Sequence, residues 1–102
     1  GTKITLVNDR GYPVEVNHAA QTEKAVPVAG EIAGAANVNI DMIPIMGAED
    51  FAYMLEARPG AFIFCGNGDS AGLHHPAYNF NDDAIVFGTS YWVKLVETSL
   101  AA

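Results

Sequence analysis

Proline and glycine cut this chain into short segments, and that punctuation constrains its fold more than any other feature. "KITLV", Lys3 to Val7, is rich in branched residues and stops at "NDRGYP", where Asn8, Asp9, Gly11 and Pro13 are turn formers. "VNIDMIPI" alternates Val38, Ile40 and Met42 against Asn39, Asp41 and Ile43 and ends at Pro44. In "AFIFCGNG", Ala61, Ile63 and Cys65 share one face and Phe62 and Phe64 the other. Each of the three reads as a strand, with "VEV" (Val14 to Val16) extending the first or leading on to Asn17, a candidate helix cap.

Between these segments the period changes. Residues 18–36 are alanine-rich, with Ala19, Thr22, Val26, Ala29 and Ala33 near helical spacing. Pro27 inside that stretch would cost about 3 kcal/mol in a regular helix interior and predicts a kink or a restart, and Gly30 and Gly34 weaken the helix or allow close approach. In "MGAEDFAYMLEARPG", Glu49 and Asp50 open a short helix at its positive dipole end, Phe51, Met54 and Leu55 share a face, and Pro59-Gly60 ends it. Asn81 or Asp82 caps a final helix with Ala84, Phe87, Tyr91 and Leu95 on one line and Ile85, Trp92, Val96 and Ser99 on the next. That band is broad enough to lie on a sheet. The alternation of strand and helix predicts an α/β domain, a layered mixed or largely parallel sheet with covering helices.

At 102 residues, half of them hydrophobic, the chain has the size of one domain with a real core. It contains no apolar run near the ~20 residues of a membrane span and no signal-peptide pattern, which predicts a protein without a membrane partner. Twelve acidic against five basic residues give a formal charge of -7, and the basic residues are scattered, which argues against nucleic acid as partner. Cys65 is the single cysteine, so an internal disulfide is excluded and the cytoplasm is the expected location. A packed core thiol is the expectation for it.

The chemistry-bearing candidates are few. "LHHPAYNFNDD" carries His74 and His75 before Pro76, in a long loop that follows a strand, where ligand sites of α/β proteins usually sit. The residue before a proline favours extended backbone, where neighbours face opposite sides, so at most one of the two histidines takes part in chemistry. Glu49 and Asp50 are a carboxylate pair suited to metal or proton sharing, but two acids at a helix start are more often dipole and capping groups, and that is the reading favoured for them. "GNGDSAG" lacks the lysine and following helix of a phosphate loop, and Ser70 lacks the setting of a nucleophile elbow. A zinc site wants three or four protein ligands, and the histidines, Cys65 and the acids show no recognisable ligand spacing.

Taken in order, "MGAEDFAYMLEARPGAFIFCGNG" and "LHHPAYNFNDDAIVFGTSYWVKLVE" resemble the C-terminal end of the M20 metallopeptidases, in the amidohydrolase branch of hippurate hydrolases and indole-acetyl-amino-acid hydrolases. "GYPVEVNHAAQTEKA" is similar to the passage in which such a chain leaves an inserted lid domain and re-enters the catalytic domain. The resemblance implies that residues 1–16 end the lid or form a return strand and that residues 17–102 are the C-terminal part of a two-domain enzyme's catalytic α/β domain. It implies a pair of divalent metals, zinc, manganese, cobalt or nickel, serving hydrolysis of N-acyl amino acids. The family's C-terminal ligand histidine falls on His74, since related sequences often carry serine at the place of His75. Glu49 and Asp50 match the acid pair near the cleft, in a structural or ligand-supporting role with His75.

The family's other ligand segments and its general base have no counterpart in these residues. The resemblance therefore implies a C-terminal fragment without catalytic residues of its own, inactive alone and holding no metal tightly. The uncovered sheet edges and apolar faces of such a piece predict a homo-oligomer. The alternative is a free-standing, non-catalytic α/β domain acting in assembly, which the length of the encoding reading frame would distinguish.

Overall fold

A computed structural model describes residues 1–100. Three helices form: α1 over Ala19–Ala33, α2 over Phe51–Ala57 and α3 over Asp83–Ser99, with a short 3-10 turn at Ala35–Asn37 after α1. No strand occurs among the described residues, which overturns the expected α/β layered sheet. The segments expected as strands are irregular and form no ladder. A strand needs a second backbone alongside to take its N–H and C=O groups, and no described segment is paired in this way. Ile4 is 84 % exposed, Leu6 87 % and Ile43 80 %, so the first two segments bury little apolar surface.

Side-chain amides take over part of the ladder's work. Asn17 does not cap α1: its Nδ2 donates to the Phe62 carbonyl at 2.8 Å, and its Oδ1 accepts the Phe62 N–H at 2.7 Å. Next to it, His18 N–H donates to the Gly60 carbonyl at 3.0 Å, and His18 Nδ1 accepts the Gly60 N–H at 3.2 Å. Two residues thus register 60–62 against the start of α1. A side chain at Gly60 would put its Cβ 3.1 Å from Leu55 Cδ2, close enough that the end of the leucine would have to shift by a few tenths of an ångström.

Helix boundaries follow local chemistry. Pro27 is accommodated within α1, and no break occurs there. Gly34, at φ 84°, ends α1, and Asn37 Nδ2 donates to the Ala33 carbonyl at 2.7 Å. α2 stops at Arg58, whose extended φ of -149° is what a following proline imposes. The expected faces shift slightly. α1 buries Ala25 and Val28, and α2 buries Ala52 and Leu55 while Met54 is exposed.

The broad apolar band of α3 meets a helix where a sheet was expected. Tyr91 packs with Ala25 and Val28 of α1, flanked by Ala29 and Leu95, and Lys94 Nζ bridges to Glu31 Oε2 at 2.7 Å. Ile85, Phe87, Trp92 and Val96 are exposed. A second small cluster holds α2, with Phe62 against Phe51 (centroids 5.4 Å) and Phe64 (5.1 Å), and Tyr12 against Tyr53 (5.8 Å). Only five of the described residues are buried, and the Cα radius of gyration is 17.9 Å where a compact chain of this length has about 13 Å. The chain is therefore an open assembly of two small clusters without one closed core. Cys65, expected in a core, is an exposed free thiol on the unpaired segment.

Candidate functional site

The loop between Cys65 and α3 is organised by two asparagines and a serine. Asn67 Nδ2 donates to the Asn79 carbonyl at 2.8 Å, and Asn67 Oδ1 accepts the Asn81 N–H at 2.7 Å. Ser70 Oγ donates to the same Asn79 carbonyl at 3.1 Å and accepts the Asn79 N–H at 3.0 Å. Asn81 Oδ1 in turn accepts the Asp83 N–H at 3.0 Å at the start of α3. The two stems are thereby tied together and to α3.

The histidine turn projects from this closure. His75 N–H donates to the Gly72 carbonyl at 3.1 Å, closing a β-turn whose third residue is His74 at φ 65°, as in a type II turn. His74 is the single non-glycine residue with positive φ among those described. His74 therefore lies within a turn and not in the extended backbone assumed for the pair. A second turn follows, with Pro76 at its favoured second position and Tyr78 N–H donating to the His75 carbonyl at 2.9 Å.

The two rings differ in what they are free to do. His75 Nδ1 accepts the Ala77 N–H at 3.1 Å. A neutral ring that accepts at Nδ1 carries its proton on Nε2, so neither nitrogen of His75 offers a lone pair. His74 is exposed, and among the described residues its ring makes no hydrogen bond within the protein.

The carboxylate pair lies at the other cluster. Asp50 occupies the N-cap of α2 in αR conformation without a side-chain capping bond, and Glu49 Oε1 makes only a long 3.4 Å contact with the Phe51 N–H. Sequence reasoning missed Glu15. Within "PVEV" it turns inward while Val14 and Val16 are exposed, leaving its Oε2 hidden and unpaired. Burial, and then the charge of Glu49, push its carboxyl above the usual range. The alternation of "VEV", which sets Glu15 opposite its two valines, was the available signal.

Among the described residues, no three of His, Cys, Asp and Glu converge to hold a metal ion. A metal pair does not fit this donor set, which offers one free imidazole at the loop and carboxylates grouped without it.

Three comparisons bear on this geometry. The sequence profile of Peptidase family M20/M25/M40 matches residues 2–98. YhaA of Bacillus subtilis (strain 168) is 36 % identical over 91 residues, covering 84 % of this chain and 23 % of that protein. The hippurate hydrolase of Campylobacter jejuni is 34 % identical over 83 residues, covering 81 % of this chain and 22 % of the relative. An N-acetyldiaminopimelate deacetylase of Streptococcus thermophilus is 35 % identical over 86 residues, 83 % of this chain and 22 % of the relative. The chain thus spans less than a quarter of the length of these relatives. No solved structure matches it.

Proposed function

Since the chain belongs to Peptidase family M20/M25/M40, we propose that it is the C-terminal part of a metal-dependent amidohydrolase that cleaves N-acyl amino acids, and that its contribution to the site is His74. The hippurate hydrolase and deacetylase names of its relatives support the substrate class. The observation that carries the residue assignment is the contrast between the two rings: His75 Nδ1 is occupied by the Ala77 N–H, while His74 is unbonded. The remaining ligands and the general base belong to polypeptide outside these 102 residues, and zinc, manganese, cobalt and nickel all suit an imidazole and carboxylate site. Glu49 and Asp50 serve the fold of α2 and the neighbourhood of the cleft.

The 102-residue chain alone neither hydrolyses hippurate nor retains metal, because one imidazole is not a site. The test is the protein of the full reading frame, purified with its metal and compared with His74→Ala and His75→Ala. His74→Ala should lower metal content and reduce hippurate hydrolysis by orders of magnitude, and His75→Ala should chiefly loosen the Ala77 turn. If His74→Ala keeps full metal and activity, the assignment is wrong. Turnover by the isolated chain at about 1 per second or faster overturns the fragment assignment.

We also assign the protein to the cytoplasm, with the free thiol of Cys65 in support, and to a homo-oligomer. The exposed apolar side chains of α3 and of residues 4–7 support self-association. They are also what a free-standing assembly module would show. A compact monomer in sedimentation at micromolar concentration counts against both.

A further inference from the structure

The turn that presents His74 is built against local preference. A positive φ at the third position of a turn closed in this way is the place for glycine or asparagine, because a Cβ there crowds the backbone. Histidine occupies it at φ 65°, with Gly72 two residues earlier at the first position. A residue held in a sparsely populated region persists only when its surroundings over-determine it. Residues 71–77 pack against no buried cluster, so apolar contact does not supply that restraint. The restraint that is present is the hydrogen bonding of the two loop stems.

That hydrogen bonding is dense. Both ends of the Asn67 carboxamide are used, one on Asn79 and one on Asn81. The Ser70 hydroxyl both donates to and accepts from the backbone of Asn79. Every one of these bonds spans the loop, from residues 67 and 70 on one stem to residues 79 and 81 on the other. Asn81 then passes the restraint on, through its Oδ1 to Asp83 N–H and its carbonyl to Ala84 N–H at 3.0 Å, into α3. α3 is itself fixed on α1 by Tyr91.

We propose that Asn67 and Ser70 are positioning residues for His74, a clasp that closes the loop and holds the histidine backbone in its left-handed conformation, so that the imidazole leaves the turn in one direction relative to α3. The proposal rests on the assignment of His74 as the working histidine. It adds two residues that touch neither substrate nor the reacting atoms. Since all of their bonds are solvent-exposed, their effect is local, and loss of the clasp should free the loop without unfolding the helices.

The test uses the full-length protein with Asn67→Ala, Ser70→Ala, Ser70→Thr and, as reference, His74→Ala. Hydrogen exchange read at single amides should show protection falling at least about tenfold at Asn81 in Asn67→Ala and at Asn79 in Ser70→Ala, with α1 and α3 amides unchanged. With hippurate as substrate, kcat should fall about 10- to 100-fold in both alanine variants while KM changes little, the pattern of a displaced group rather than lost binding. Ser70→Thr, which keeps the hydroxyl, should restore both protection and kcat. Unchanged exchange at Asn79 and Asn81 overturns the clasp. Faster exchange with unaltered kcat overturns its positioning role. If His74→Ala retains full kcat, the functional assignment of His74 is what fails, and the exchange data still decide whether the clasp closes the loop. Should Asn67→Ala not fold, the Ser70 pair carries the same comparison alone.

Discussion

Replacing Asn17 by alanine removes the tie that aligns residues 60–62 with the start of α1. Two hydrogen bonds are lost, 2.8 Å to the Phe62 carbonyl and 2.7 Å from the Phe62 N–H, across 45 residues of sequence. A net bond contributes about 0.5–1.5 kcal/mol, and these are exposed, so that water re-satisfies the released groups and the lower half of the range applies. Together they amount to about 1–2 kcal/mol. The His18–Gly60 pair remains and keeps the segment near its place. At about 4–8 °C per kcal/mol for a domain of this size, Asn17→Ala should lower Tm by about 4–16 °C. Asn17→Asp keeps the acceptor for Phe62 N–H but sets a carboxylate oxygen against the Phe62 carbonyl, so it should lose at least half as much. Thermal unfolding by circular dichroism gives the magnitude, and hydrogen exchange at Phe62 gives the location. If Asn17→Ala melts with the parent and Phe62 stays equally protected, the amide tie does not hold this segment.

Tyr91→Ala should cost about 3–5 kcal/mol by emptying the α1–α3 cluster, enough to unfold the helix pair in denaturant titration, whereas Tyr91→Phe keeps the ring and should stay within about 1 kcal/mol. Glu15→Gln should raise Tm at neutral pH, because burial and then Glu49 hold the folded carboxyl above its ordinary 4.5. The folded state then binds the proton more tightly, the penalty is present above the raised value, and the advantage of Gln should shrink on acidification and vanish below 4.5. Lys94 is raised above its ordinary 10.5, first by its hydrogen bond to Glu31 and then by the charges of Glu31 and Glu97, against a small opposing effect of burial. Its contribution is complete below 10.5 and is lost as pH rises through the raised folded value, so the stability gap between the parent and Glu31→Gln should narrow only as pH rises above 10.5 and close once it has passed the raised value.

The helices and the family can be read from local spacing and motif order. Pro59 stops α2 at Arg58, Gly34 stops α1, and the apolar spacing of Tyr91 and Leu95 marks the packed face of α3, because these are restraints between residues a few places apart. The ordered motifs from Met46 to Glu97 carried the family resemblance without any geometry. Tertiary structure decided the rest. Branched residues and alternation in "KITLV" and "VNIDMIPI" record a preference for extended backbone, but a strand exists only where a second backbone lies 4.7–4.9 Å away, and no described segment provides it. Asn17 reads as a helix cap in sequence and Asn67 carries no signal there, and only folding showed their partners 45 and 12 to 14 residues away. The same holds for the histidines. "HH" offers two equal imidazoles, and which one keeps a free ring is fixed by where the Ala77 N–H points after the turn has closed.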